Sequence, residues 1–144
     1  MAATSDCLFC RIASGEIPSK FVWQDEDCVA FLSNRPLRPG HTLVVPRAEI
    51  DHWLDVDGQL WSHLTATAQA IGRAQMAGFK PVRVGLMVAG LEVPHVHIHV
   101  VPIRGVHDLD FGHQDPNPAD EMMDSAAATI RTELEKLGYS EVSR

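Results

Sequence analysis

Apolar residues recur along this chain with two different periods. In residues 95–101 (His95-Val96-His97-Ile98-His99-Val100-Val101) every second position is histidine, and the positions between are β-branched and apolar. Such residues favour an extended strand, whose side chains alternate faces with period two. The pattern predicts a strand over 96–101, with the valines and isoleucine on one face and three imidazoles about 7 Å apart on the other. Shorter apolar runs predict strands at 21–23 and 28–32, joined by the acidic turn Asp25-Glu26-Asp27, and at 42–46 and 82–89. The turn over 90–94 suits an antiparallel pair, and Pro36 to Gly40 reads as a loop.

The helical period appears elsewhere. Leu60, Leu64, Ala68 and Ile71, next to Trp61 and Ala74, predict a long helix over 57–77 whose stripe is core packing. Met122, Ala126, Ile130, Leu134 and Leu137 predict a second over 118–137, closed by Gly138. A short helical segment over 7–14 ends at Gly15. Antiparallel strands with segregated helices give an α+β fold of five strands and two main helices.

At 144 residues the chain fits one domain, 1–144, with a motif-bearing core over about 7–102 and a C-terminal loop and helix over about 105–144. A net charge of −7 opposes nucleic-acid binding, the only basic grouping being the loose Arg35, Arg38 and Arg47. No apolar run approaches a membrane span, and residues 1–6 carry no signal-peptide pattern. Three cysteines (Cys7, Cys10, Cys28) fit reduced thiols in a cytoplasm. Cys28 reads as a small buried hydrophobe, Trp23, Trp53 and Trp61 as packing or dimer contacts, and His63, His107 and His113 as solvent-facing.

A folding core gains nothing from a row of imidazoles, whereas a reaction on an anionic substrate can use one for a nucleophile and proton donors. A metal site built on His95, His97 and His99 is the alternative, although same-face strand positions are spaced too widely to reach one ion easily.

His-Val-His-Ile-His-Val-Val resembles the motif of the histidine triad (HIT) family. Two further segments resemble its bacterial Hint-like branch: Cys7-Leu8-Phe9-Cys10-Arg11-Ile12 with Gly15-Glu16-Ile17-Pro18, and Ala30-Phe31-Leu32 through Pro39-Gly40-His41-Thr42-Leu43-Val44-Val45-Pro46. The resemblance implies a homodimer whose two sheets form one ten-stranded sheet. It implies hydrolysis or transfer at the α-phosphate of a nucleotide derivative: a phosphoramidate, an acyl-adenylate or a dinucleoside polyphosphate. In this pattern His97 is the nucleophile and His99 a donor to the phosphate or leaving group. His41 closes on the same phosphate, and His95 buttresses the row or joins a metal. Phe9, Ile12, Phe31, Ser33, Asn34 and Glu92 fall on the nucleotide pocket. No cofactor is required for catalysis. A structural zinc is implied through Cys7, Cys10 and His95, with Glu49 at the position of the fourth ligand and His52 nearby.

Three segments depart from the family pattern. Ser33 stands where an acidic residue holds the ribose hydroxyls. Leu91 and Glu92 stand where glutamine and serine or glutamate are common, and a carboxylate at 92 repels a phosphate unless it turns away. Glu49 replaces a histidine. The departures at 33 and 92 motivate a second reading, a catalytically weak nucleotide-binding or regulatory module of the same fold.

Overall fold

The computed structural model describes residues 6–143, so the reading of the N-terminus lies, apart from Asp6, outside the described residues. Five strands build one sheet: β1 (Phe21–Gln24), β2 (Cys28–Leu32), β3 (Thr42–Pro46), β4 (Arg83–Met87) and β5 (Ile98–Ile103). All neighbouring pairs are antiparallel, in the order β1-β2-β3-β5-β4. The expected α+β fold with a five-stranded sheet is present.

Among the described residues three α-helices accompany the sheet: α1 (Leu8–Ala13), α2 (Gly58–Phe79) and α3 (Asp120–Lys136). Asp57 caps α2, its Oδ1 accepting the backbone N–H of Leu60 at 2.8 Å. The helix runs two residues beyond its expected end and stops at Lys80, which adopts a left-handed φ of 52°.

Side-chain alternation divides the sheet into two different faces. On one, Ala30, Leu32, Val44, Ile98 and Val100 pack under α2 and α3 against Leu64, Ile71, Ile130 and Leu134. On the other, α1 lays Phe9, Ile12 and Ala13 over Val29, Phe31, Leu43 and Val45. A six-residue helix is only about 9 Å long, so this second face is partly open.

The expected boundaries shift where a ladder partner is missing. β5 starts at Ile98 rather than 96, because its last β3 partner is Val44; Val96 instead donates its N–H to Ile50 O. β4 spans 83–87 rather than 82–89. Val101 shares the parity of the histidines, not that of Ile98, and is buried on their side. On α3 the buried stripe is Met123, Ala126, Ala127, Ile130 and Leu134. Met122 is only partly buried, and Leu137 is half exposed because the helix has ended. The C-terminal residues turn back along β1: Gln24 N–H bonds to Glu141 O, and Ser143 N–H to Val22 O. That leaves β4 as the open edge among the described residues. No helix among them is long and apolar enough to cross a membrane.

Candidate active site

The expected row of three histidines resolves into three different environments. His95, His97 and His99 are all buried, at 0%, 2% and 4% exposure. His97 Nδ1 lies 2.7 Å from His95 O. A carbonyl only accepts, so Nδ1 carries the proton and Nε2 keeps its lone pair. The ring lines a cavity of about 410 Å³, a volume suited to a small ligand.

His99 reaches the same cavity with the opposite polarity. The Leu37 N–H donates to His41 Nδ1 at 3.0 Å, so the proton of neutral His41 sits on Nε2. That Nε2–H donates to His99 Nδ1 at 2.9 Å. His99 must therefore carry its own proton on Nε2, and this buried atom has no partner among the described residues. One ring thus offers a lone pair and its neighbour an N–H, with ring centres 4.9 Å apart. Burial keeps both neutral. It lowers the pKa of His97 and takes that of His99 down to about 4 and of His41 to about 3.

His41 is corrected by this geometry. It was expected to close on the phosphate, but it is 1% exposed and has both ring nitrogens engaged. It is joined to the cavity wall by its bond to His99.

The cavity gathers the other expected positions. Phe9, Ile12, Phe31, Ser33, Asn34 and Glu92 all line it with His97 and His99. Phe9 meets the His97 ring edge-on at 4.9 Å and Phe31 at 5.7 Å. The Ser33 hydroxyl accepts the Arg35 N–H at 3.2 Å, keeping its own proton to donate. Glu92 does not turn away. A carboxylate oxygen lies within 4.8 Å of ring nitrogens of both His97 and His99. Its charge, with the hydrogen bond to His95 O, partly offsets the effect of burial on His97. The Nε2–H of His99 makes this trio a poor metal site, since a metal needs that lone pair.

His95 faces away from the cavity toward α1. Its Nε2–H donates to Pro46 O at 2.8 Å, which turns the Nδ1 lone pair to Cys7 Sγ at 3.0 Å and Cys10 Sγ at 3.5 Å. His95 and His97 therefore serve separate sites, and the three histidines do not converge on one ion. Tetrahedral zinc bonds of about 2.0–2.3 Å put neighbouring ligand atoms about 3.5 Å apart. The three atoms fit that requirement, and a histidine whose other nitrogen is held by a carbonyl is a typical metal ligand. Burial, then the Cys7 thiol and the charge of Glu49, push the Cys10 thiol up to about 12, a tendency that a bound cation would reverse. Glu49 is exposed, whereas His52 is occupied capping a 3-10 turn through the Leu54 N–H.

Several contacts escape a reading of the sequence. Phe111, in the loop after β5, packs on His99 at 5.1 Å. Gln114 and Arg35 join the cavity wall. His63 is not simply solvent-facing, because its Nε2 lies 2.8 Å from Asp25 Oδ2. The same carboxylate accepts from Trp23 Nε1 and from the backbone of Asp27 and Cys28. Burial raises the Asp25 pKa, but these bonds outweigh it and hold it at about 2. Cys28 is buried as expected, with its thiol pushed up to about 12 mainly by burial. Trp23 packs on Tyr139, and Trp53 on Trp61. His107 and His113 are exposed.

Known proteins similar to this chain share one family. Residues 14–106 match the HIT domain model. An uncharacterized HIT-like protein of Methanocaldococcus jannaschii is 38% identical over 100 residues, covering 67% of this chain and 78% of that protein. A zinc-bound histidine triad family protein from Mycobacterium smegmatis superposes with a TM-score of 0.81 at 27% identity, covering 95% of this chain and 97% of that one. A hypothetical histidine triad nucleotide-binding protein from Sulfolobus tokodaii also gives 0.81, at 25% identity over 91% of this chain and 93% of that one. With the family model spanning well over half of its residues, this chain belongs to the HIT family.

Proposed function

We propose that the protein cleaves a nucleotide derivative at its α-phosphate through a nucleotidyl-His97 intermediate. The observation that carries this reading is the pairing of an Nε2 lone pair on His97 with an Nε2–H on His99 in one cavity. The lone pair forms the bond to phosphorus while the bond to the leaving group breaks. The leaving group takes its proton from solvent. Neutral His99 donates a hydrogen bond to a phosphoryl oxygen or the leaving atom and does not ionise. Water then attacks phosphorus, the P–N bond breaks, the pair returns to His97 and the proton of the water goes to solvent. Splitting one displacement into two is the gain of covalent catalysis. His95 buttresses His97 through its carbonyl, and Phe9, Ile12 and Phe31 supply apolar surface for the base. Ser33 and Asn34 stand at the sugar.

A phosphoramidate, an acyl-adenylate or a dinucleoside polyphosphate satisfies this chemistry. The test is AMP release from adenosine 5′-phosphoramidate with chelator present. Release by wild type and none by His97→Ala supports the reading. Equal release by both overturns it. Tight nucleotide binding without turnover would favour the second reading, a weakly catalytic nucleotide-binding module, which the carboxylate of Glu92 beside His97 supports.

Two structural features belong to the same proposal. Cys7, Cys10 and His95 hold a structural zinc, with Glu49 as the candidate fourth donor; bound there, zinc ties α1 to the histidine strand. Protein purified without added zinc should carry one equivalent, and a metal-free, fully folded chain would remove this part. A second copy pairs along β4, the open edge, where Val82 is 61% and Leu86 53% exposed. A dimeric mass in solution that becomes monomeric in Leu86→Lys is expected, and a monomeric wild type would contradict it.

A further inference from the structure

Gln75 is the one polar residue of its length sealed under the helix-covered face of the sheet among the described residues, at 0% exposure. It continues the apolar stripe of α2 four residues beyond Ile71, where a hydrophobe would be the default. Its Nε2 makes two hydrogen bonds, each 2.9 Å, donating to Gly40 O and Val100 O. Those two carbonyls fix the orientation of the amide, and they leave Oε1 buried with no partner. An uncompensated buried acceptor is unfavourable, so the residue weakens the core in which it sits.

The two carbonyls are not arbitrary ones. Gly40 immediately precedes His41, and Val100 immediately follows His99. Thr42 and Val100 are register partners in the β3–β5 ladder, so Gln75 grips the two strands just where they part. On the opposite face, at the same level, His41 Nε2–H meets His99 Nδ1. The Gly40 carbonyl also accepts the Thr42 hydroxyl at 2.8 Å. Gly40 itself has a φ of +94°, and an added Cβ would lie 2.5 Å from the Phe79 ring. The backbone entering His41 is thus defined from several directions, and Gln75 ties it to the backbone leaving His99.

We propose that Gln75 is a positioning residue that holds the His41–His99 pair in register from behind the sheet, and thereby fixes the proton of His99 on Nε2. It touches neither substrate nor reacting atoms. The role rests on the catalytic reading above for its effect on rate, whereas its effect on the histidine pair can be read without turnover.

The experiment compares wild type with Gln75→Leu and Gln75→Met, and with Ile71→Val as a purely structural control on the same helix. Nitrogen-15 spectra of the imidazoles report which nitrogen of His99 is protonated. In wild type the proton is expected on Nε2 alone, and both Nε2 protons of Gln75 exchange slowly with solvent. In the Gln75 variants a mixture of His99 tautomers is expected, with kcat down about tenfold and KM within about twofold of wild type. Ile71→Val should leave the tautomer and kcat unchanged. A wild-type His99 tautomer and kcat in a folded Gln75 variant would overturn the proposal. So would a kcat loss matched by Ile71→Val at equal loss of Tm. Should both Gln75 variants fail to fold, rapid exchange of the Gln75 amide protons in wild type would overturn it. If the tautomer shifts while no chain, wild type included, turns over substrate, the positioning role stands and the catalytic reading falls.

Discussion

The two faces of the sheet carry opposite kinds of residue on the same strands. Ile98 and Val100 point under α2 into an apolar core, whereas His97 and His99, one residue away in each case, point to a cavity that α1 covers only in part. The longer helices close one face, and the short one leaves space on the other. A period of two in sequence thereby separates stability from chemistry at single-residue resolution.

Neighbouring substitutions should therefore behave as opposites. His97→Ala removes the proposed nucleophile and should lower kcat by on the order of 10³ or more, with a modest loss of stability, as read by AMP release and by urea unfolding. Ile98→Ala should do the reverse. Deleting this fully buried side chain should cost about 2–5 kcal/mol in unfolding free energy, while turnover per folded molecule stays near wild type. Comparable loss of activity in both, at equal fractions folded, would erase the distinction between faces.

Acid should weaken the histidine face selectively. The pKa values of His99 and His41 are depressed to about 4 and about 3 in the folded protein, against an ordinary value near 6.5. Below 6.5 the unfolded chain takes up protons that the folded chain refuses. Stability from these groups is therefore complete above pH 6.5 and declines as the pH falls toward 4. A decline of about 2 kcal/mol per histidine between pH 6.5 and 5 is expected by urea titration. A flat profile would mean that the pair accepts protons while folded.

The smallest effect falls outside both faces. Asp25→Asn should cost about 2 kcal/mol, because the carboxylate, held at about 2, joins the β1–β2 turn to His63 on α2 and to Trp23. That contribution is present above pH 4 and fades as the pH falls through 2. Equal stability of the variant and wild type at pH 7 would show the network to be incidental.

Much of this division was legible in the sequence because it depends on local periodicity. The five strands, both long helices and the pairing of His97 with His99 follow from apolar spacing and from one short motif. The two thiols facing His95 also matched their expected place. What escaped depends on atoms brought from elsewhere in the chain. The protonation of His99 is set by a loop N–H, that of Leu37, acting through His41. The late start of β5 reflects where β3 stops offering partners. Asp25 looked like a turn residue and His63 like a surface one, because nothing in their spacing joins the turn to α2. Gln75 did leave a trace, a polar residue at a buried position of an otherwise apolar stripe, but its two carbonyl partners lie on strands distant in sequence.

The most direct test of covalent catalysis at His97 is to quench wild-type protein during turnover of adenosine 5′-phosphoramidate, digest it under alkaline conditions and weigh the peptide that contains the triad. The expected result is one adenylyl group on His97, absent from His97→Ala. AMP release by wild type with no adduct on that peptide at any time would contradict the nucleotidyl-histidine route.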